Sequence, residues 1–227
     1  NLQHQLIVLE NLDREKSSDV LNSLQGSPSI LGNIVQQMSP DRLSDVIEDM
    51  PQDDAADFVG LLDDEKADAL LEKLPEKDRE ELTQLLQYDE ESAGGLMTPY
   101  VVAIRKNQTV AAAIKEIQKF VQKEGYELFY TAYVVDEYDH LIGTIGTTEL
   151  LLAERNALIE NLMNPDVVAV DQDLDQEEVA RIAQEYDLVV VPVIDKHLKL
   201  IGRVTLDDLV DVIVEEHNED LGHLAGT

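Results

Sequence analysis

Between Leu31 and Leu86 the apolar positions of the chain recur every twelve residues. Leu31, Ile34, Val35 and Met38 are followed by Leu43, Val46, Ile47 and Met50, then Ala55, Phe58, Val59 and Leu62, then Ala67, Leu70, Leu71 and Leu74. A fifth, degraded copy keeps Leu82 and Leu86. Twelve is not a helical period, so the recurrence marks a repeated structural unit. Inside each copy the spacing i, i+3, i+4, i+7 puts four apolar side chains on one face of a short helix. Ser39 before Pro40 reads as an N-cap with proline at the first helical position, while Pro51 and Pro75 open copies and stop the helices before them. Helices this short are unstable alone and must stack on their neighbours. The pattern predicts a right-angled or superhelical helical array within a domain over 1–92, with the repeats running from about 31. Ahead of it, Leu2, Leu6 and Leu9 predict a leading helix, and 25–29 a turn.

The second half carries a longer repeat. The MTPYVVAI block at 97–104 realigns with MNPDVVAV at 163–170, an offset of 66. Downstream, Val134, Val135 and Asp136 align with Val193, Ile194 and Asp195, and Leu141, Ile142 and Gly143 with Leu200, Ile201 and Gly202, both at an offset of 59. The first copy therefore holds seven extra residues in or just after its first helix. Each copy reads as a strand (101–104; 167–170), a helix, two strands and a closing helix, an α+β pattern. In the stretch 88–99, YDEESAGGLMTP, Gly94 and Gly95 end the helical pattern and mark the domain boundary.

Charge changes the picture. The chain has 48 Asp plus Glu against 17 Lys plus Arg, a formal net charge of −31. Such a balance repels phosphate backbones and argues against nucleic acid as a partner. It also makes a compact chain self-repelling, which a cation held between facing carboxylates would relieve; halophilic solubility is the alternative. With no cysteine, the chain has neither disulfides nor a thiolate metal site, which fits the cytoplasm. Its longest apolar stretches, such as 188–194 interrupted by Pro192, fall far short of the ~20 residues a spanning helix needs. The chain begins at Asn1 without a leader and reads as an excised piece of a longer protein.

The LIGRVTLDDL block at 200–209 resembles the signature of CBS (cystathionine-β-synthase) domains, in which a strand ends at a Thr and an Asp three residues on begins a helix. The resemblance covers about 97–215, with a first domain over 97–155 and a second over 162–214. AGGLMTP at 93–99, set between an acidic helical-repeat domain and two CBS copies, resembles the cytosolic half of MgtE-type magnesium transporters. That resemblance implies an α-helical superhelical repeat domain followed by an α+β tandem CBS-domain pair, lying at the cytoplasmic face of the cell membrane. It further implies Mg2+ sensing, a homodimer through the CBS domains, and regulation of a transmembrane domain absent from this chain.

Oxygen donors suit magnesium, which keeps several waters and uses one or two carboxylates. An acidic terminal helix over 206–222 would lead toward the missing membrane domain. Its 207–220 stretch holds seven acids and no Lys or Arg. On a helix Asp208, Asp211 and Glu215 share one side, and Glu216, Glu219 and Asp220 form a second cluster. A charged, solvated face is the plain alternative; the resemblance favours cation response. Similarity in order and spacing to the family's helical domain sets Asp53 and Asp57, one turn apart beside Asp54, opposite Asp208 and Asp211. Helix capping explains the first pair without metal. Asp175, Glu177 and Asp187 form a further acidic group around the first helix of the second CBS copy.

CBS pairs in many proteins bind adenosyl ligands through the signature Thr and Asp, here Thr205 and Asp208, so an adenine-nucleotide sensor is the alternative function. The first copy has Gly146 and Glu149 at those positions, leaving at most one such site. Catalysis finds no support: there is no Walker A motif, no G-x-G-x-x-G, no nucleophile elbow and no H-E-x-x-H. His217 and His223 flank Asp220 but read as an exposed terminus, and Tyr126, Phe129, Tyr130 and Tyr133 read as core or dimer contact.

Overall fold

The computed structural model describes residue 9 and residues 12–24, 28–48, 50–124 and 130–214. The chain divides into two units, Asn1–Glu91 and Ser92–Thr227.

In the first unit, α1 (Arg14–Asn22) precedes five helices: α2 (Pro28–Val35), α3 (Pro40–Ile47), α4 (Gln52–Gly60), α5 (Asp64–Leu71) and α6 (Glu76–Leu85). These five begin at strict twelve-residue intervals, which is the repeat seen in the sequence. Pro28 opens α2, so the last two residues of the turn expected over 25–29 are helical, and 25–27 lie outside the described residues. Caps fix the starts. The side chains of Ser39 and Asp63 accept from the Arg42 and Lys66 N–H groups, and Pro51 and Pro75 hold extended backbone at the cap positions of α4 and α6. The helices stack on second neighbours, α1 on α3, α3 on α5 and α4 on α6. Lys73 after α5 meets Asp41 of α3 at 2.5 Å, and Arg14 of α1 meets Glu48 after α3 at 3.0 Å.

All four apolar positions of the first two copies are buried, and Phe58 of the third is fully so. Burying one such side chain is worth about 1.5–3 kcal/mol, and Phe58→Ala should cost about 3–5 kcal/mol. The degraded fifth copy differs from expectation. α6 runs ten residues and buries Leu82 and Leu85, leaving Leu86 as an exposed C-cap. Leu9 is buried, while Leu2 and Leu6 lie outside the described residues.

The second unit holds two three-stranded sheets of the same topology. It begins with α7 (Ala93–Leu96), β1 (Ala103–Arg105), α8 (Val110–Glu124), β2 (Thr131–Val135), β3 (Leu141–Gly146) and α9 (Thr147–Leu152). After a 3-10 turn, Ile159–Asn161, come β4 (Val170–Asp171), α10 (Gln176–Glu185), β5 (Val191–Ile194), β6 (Leu200–Val204) and α11 (206–214). In each sheet the first strand runs parallel to the second and the second antiparallel to the third. α8 is 15 residues long against ten in α10, which absorbs most of the first copy's extra length.

Two expectations need correction. The first strands are shorter and later than 101–104 and 167–170; Val102, Val167 and Val168 precede them and line a cavity, with the Val102 carbonyl still accepting from the Tyr133 N–H at 2.8 Å. Gly94 and Gly95 do not end a helix; they sit inside α7, capped by the Ser92 hydroxyl, which accepts from the Gly95 N–H.

The two repeated blocks meet across the pair. Thr98 and Arg203 form an isolated antiparallel bridge, and so do their repeat equivalents Asn164 and Thr144. A Cβ on Gly202 would lie 2.9 Å from the Thr98 carbonyl oxygen, and one on Gly143 2.7 Å from that of Asn164. Only glycine allows that approach. The β-turns also pair, with the Leu141 N–H donating to Leu198 O and Leu200 N–H to Asp139 O. Each turn is built alike: Asp136 accepts from the Tyr138 and His140 N–H groups, and Asp195 from those of His197 and Lys199. Burial pushes the Asp136 carboxyl up, but those donors and the His140 ring outweigh it and hold it below its ordinary pKa.

Candidate functional site

The described candidate cation ligands lie on helices or directly beside them. Asp53 and Asp57 stand one turn apart on α4; Asp53 is half-buried, as is Asp54, and Asp57 is exposed. On α11 Asp208 is half-buried and Asp211 exposed. Asp208 accepts from the Thr205 N–H at 3.2 Å and its hydroxyl at 2.5 Å, and Asp207 also meets that hydroxyl. The signature acid thus caps α11, as Glu149 caps α9 by accepting from the Gly146 N–H.

Asp175, Glu177 and Asp187 do not form one group. Asp175 caps α10 and accepts from the Glu177 N–H at 3.0 Å, whereas Asp187 follows the far end in left-handed backbone, φ 53°. Ten helical residues span about 15 Å, so no single ion is shared by all three within one chain. Glu215, Glu216, Glu219 and Asp220 lie outside the described residues, with His217 and His223. Among the described residues, no three His, Asp or Glu side chains converge as a metal-binding group. The carboxylate pairs Asp53 with Asp57 and Asp208 with Asp211 fit the partial, water-rich coordination magnesium takes.

A cavity of about 400 Å³ opens between the two sheets. Its walls come in repeat-related pairs: Val102 with Val168, Thr131 with Val190, and Thr144 with Arg203. Tyr133, Pro192, Asp166 and Asp187 add to it; Thr205 and Asp208 do not line it. Arg203 is buried. Burial pushes the Tyr133 hydroxyl up to about 12, against the pull of the Arg203 guanidinium. Tyr130 is exposed at the same cavity, and Tyr126 and Phe129 lie outside the described residues. Sequence reasoning missed this site. The offsets of 66 and 59 show which positions of the two copies are equivalent, but not that those positions face one another across a cavity.

Comparison with known families matches residues 1–91 to the MgtE intracellular N domain, and 93–156 and 159–215 to the CBS domain. The magnesium transporter MgtE of Thermus thermophilus is 38% identical over 227 residues, covering 98% of this chain and 49% of that protein. This chain belongs to the MgtE family. The MgtE of Enterococcus faecalis is 40% identical over 146 residues, 64% of this chain and 32% of its own length. The chain spans half or less of the length of these MgtE relatives. Among solved structures, the cytosolic domain of the Mg2+ channel MgtE in complex with ATP matches with a TM-score of 0.84 at 36% identity, covering 93% of this chain and 85% of that one. The soluble part of a magnesium transporter matches with a TM-score of 0.74 at 32% identity, covering 95% and 88%. The helical N domain followed by a CBS pair is therefore the architecture of MgtE relatives. No helix among the described residues is long and apolar enough to cross a membrane.

Proposed function

We propose that this chain is the magnesium-sensing, non-catalytic regulatory region of a magnesium transporter, held at the cytoplasmic face of the membrane. Mg2+ bound between acidic faces of the helical unit and the CBS pair draws them together, and the terminal helix passes the change to a membrane domain that gates ion flow. The observation that carries this reading is a carboxylate pair on each unit, Asp53 with Asp57 and Asp208 with Asp211, in a chain 38% identical to a magnesium transporter along nearly its whole length. Asp175 with Glu177, Asp187, and Glu216 with Glu219 and Asp220 supply further ligands. Several ions are needed. Moving a two-state equilibrium from 1:99 to 99:1 takes about 5.5 kcal/mol, and a site preferring the closed form tenfold gives about 1.4 kcal/mol, so about four sites act together. Small-angle scattering tests the reading: the radius of gyration should fall between chelator and ~10 mM magnesium, the range of sites worth about −4 kcal/mol each. An unchanged radius, with potassium at matched ionic strength as control, would remove the gating reading.

The chain acts as a homodimer in this reading, through the faces of α9 and α11. Leu151 and Leu152 of α9 and Leu206, Val210, Ile213 and Val214 of α11 are exposed, Leu152 at 83%. Leu151 and Val210 are repeat equivalents, so the two faces suit a symmetric partner.

The cavity favours a second reading, binding of an adenine nucleotide. Its volume lies in the range of small-molecule sites, its Val and Pro walls suit a base, and the Arg203 guanidinium suits phosphate. A structural neighbour is a complex with ATP, which supports the same reading. Calorimetric titration with ATP tests it; no heat at millimolar nucleotide would refute it.

A further inference from the structure

The chain leaving the helical unit does not go straight into the first CBS domain. Its first seven residues, Ser92 to Thr98, bond to the second. The Ala93 N–H donates to Leu174 O at 2.7 Å, the Gly94 N–H to Gln172 O at 2.8 Å, and Thr98 exchanges two backbone bonds with Arg203. Ser92 bridges Asp175, and α7 packs on β4, β6 and α10, all elements of the second domain. Ala93, Met97 and Thr98 are buried, so this strap is part of the packed fold.

From these contacts we infer that the strap ties the helical unit mechanically to the second CBS domain, and so to the terminal helix, while bypassing the first. The route is short. Thr98 holds Arg203 in β6, and α11 begins three residues later at 206. A displacement of the helical unit pulls on the 172–175 loop and on β6 before it reaches β1. The consequence for gating rests on the proposed function; the tie itself does not.

Arg203 makes the tie measurable. In the β5–β6 ladder its partner is Pro192, which has no N–H, and its own N–H donates to Thr98 O at 3.0 Å. Its repeat equivalent Thr144 donates to Asn164 O at 2.9 Å and is not attached to the helical unit, so it serves as the internal control. Hydrogen exchange on the 227-residue chain should find the Ala93, Gly94 and Arg203 amides as protected as those of β5, in chelator and in magnesium alike. Ala93→Pro removes one N–H at a first helical position that proline tolerates, after a residue already extended at ψ 163°. It should speed Arg203 exchange by roughly fivefold, the effect of losing one ordinary hydrogen bond, and leave Thr144 unchanged. Unprotected strap amides in the parent would overturn the inference. So would equal acceleration at Thr144, or none at Arg203, in the variant. Failure of magnesium to compact the chain would end the gating reading and leave these exchange results standing, so the two fail separately.

Discussion

Thr98 and Arg203 exchange backbone hydrogen bonds of 2.9 and 3.0 Å, and their equivalents Asn164 and Thr144 exchange bonds of 2.8 and 2.9 Å. Each CBS domain thereby lends the other a lead-in segment that pairs with its last strand. Neither sheet is complete without the opposite repeat. The two copies consequently stand or fall together as one cooperative unit, although the first buries an apolar cluster of its own and the second buries Val170, Val179, Val191, Val193 and Val204.

The glycines at this crossing are the sharpest test. In Gly143→Ala the new Cβ would stand 2.7 Å from the Asn164 carbonyl oxygen, a backbone atom that cannot step aside alone. Denaturant unfolding should report a loss of about 1–3 kcal/mol, the cost of overpacking. A change within ~0.5 kcal/mol would mean the lead-in segment yields freely.

Tyr133 links stability to alkaline pH. Its folded pKa of about 12 lies above the ~10 of an unfolded tyrosine, so its neutral form is favoured by folding. That contribution is complete below pH ~10 and is lost as pH rises from there through about 12. Tyr133→Phe should therefore lose less stability than the parent over that window, by up to ~2 kcal/mol in paired urea titrations. Parallel loss in both proteins would place the tyrosine in a wetter environment.

Replacing both Asp208 and Asp211 by Asn should weaken the scattering response to magnesium and make the metal-free form more compact, since repulsion is removed and size is kept. Glu72 and Glu80, exposed acids of the helical unit, should do neither when replaced by Gln. A double variant that titrates with magnesium like the parent would reduce these carboxylates to a charged helix face.

Light scattering should give twice the 25.4 kDa chain mass at tens of micromolar, and Leu152→Glu with Val210→Glu should return it to the monomer. A charge buried without a partner costs several kcal/mol, enough to split a modest interface. An unaltered mass in the variant would move the interface elsewhere.

Arg203→Gln should weaken ATP binding by tenfold or more while leaving adenosine nearly unaffected, because the guanidinium addresses phosphate. Calorimetry with both ligands separates the cases. Equal losses would assign Arg203 to the packing of the cavity wall instead.

The sequence by itself determined the elements and their repeats. Apolar spacing is local, so the helices of the twelve-residue repeat and the duplicated β-α-β-β-α units were legible from Leu31 to Val204 in the sequence alone. The chain's acidity and its motifs also identified the family. What only tertiary structure decided is which repeated blocks face each other. Periodicity says that Gly143, Gly202, Thr98 and Asn164 recur, but not that Gly202 lies against Thr98 and Gly143 against Asn164. The cavity escaped for the same reason: Val102, Thr144, Val168 and Arg203 are far apart in sequence and become one wall only when the sheets meet. Asp175 and Asp187 show the reverse error. They are close in sequence, but a rigid helix holds them at its two ends. Local pattern fixes which face a residue takes; long-range hydrogen bonding and packing fix what that face meets.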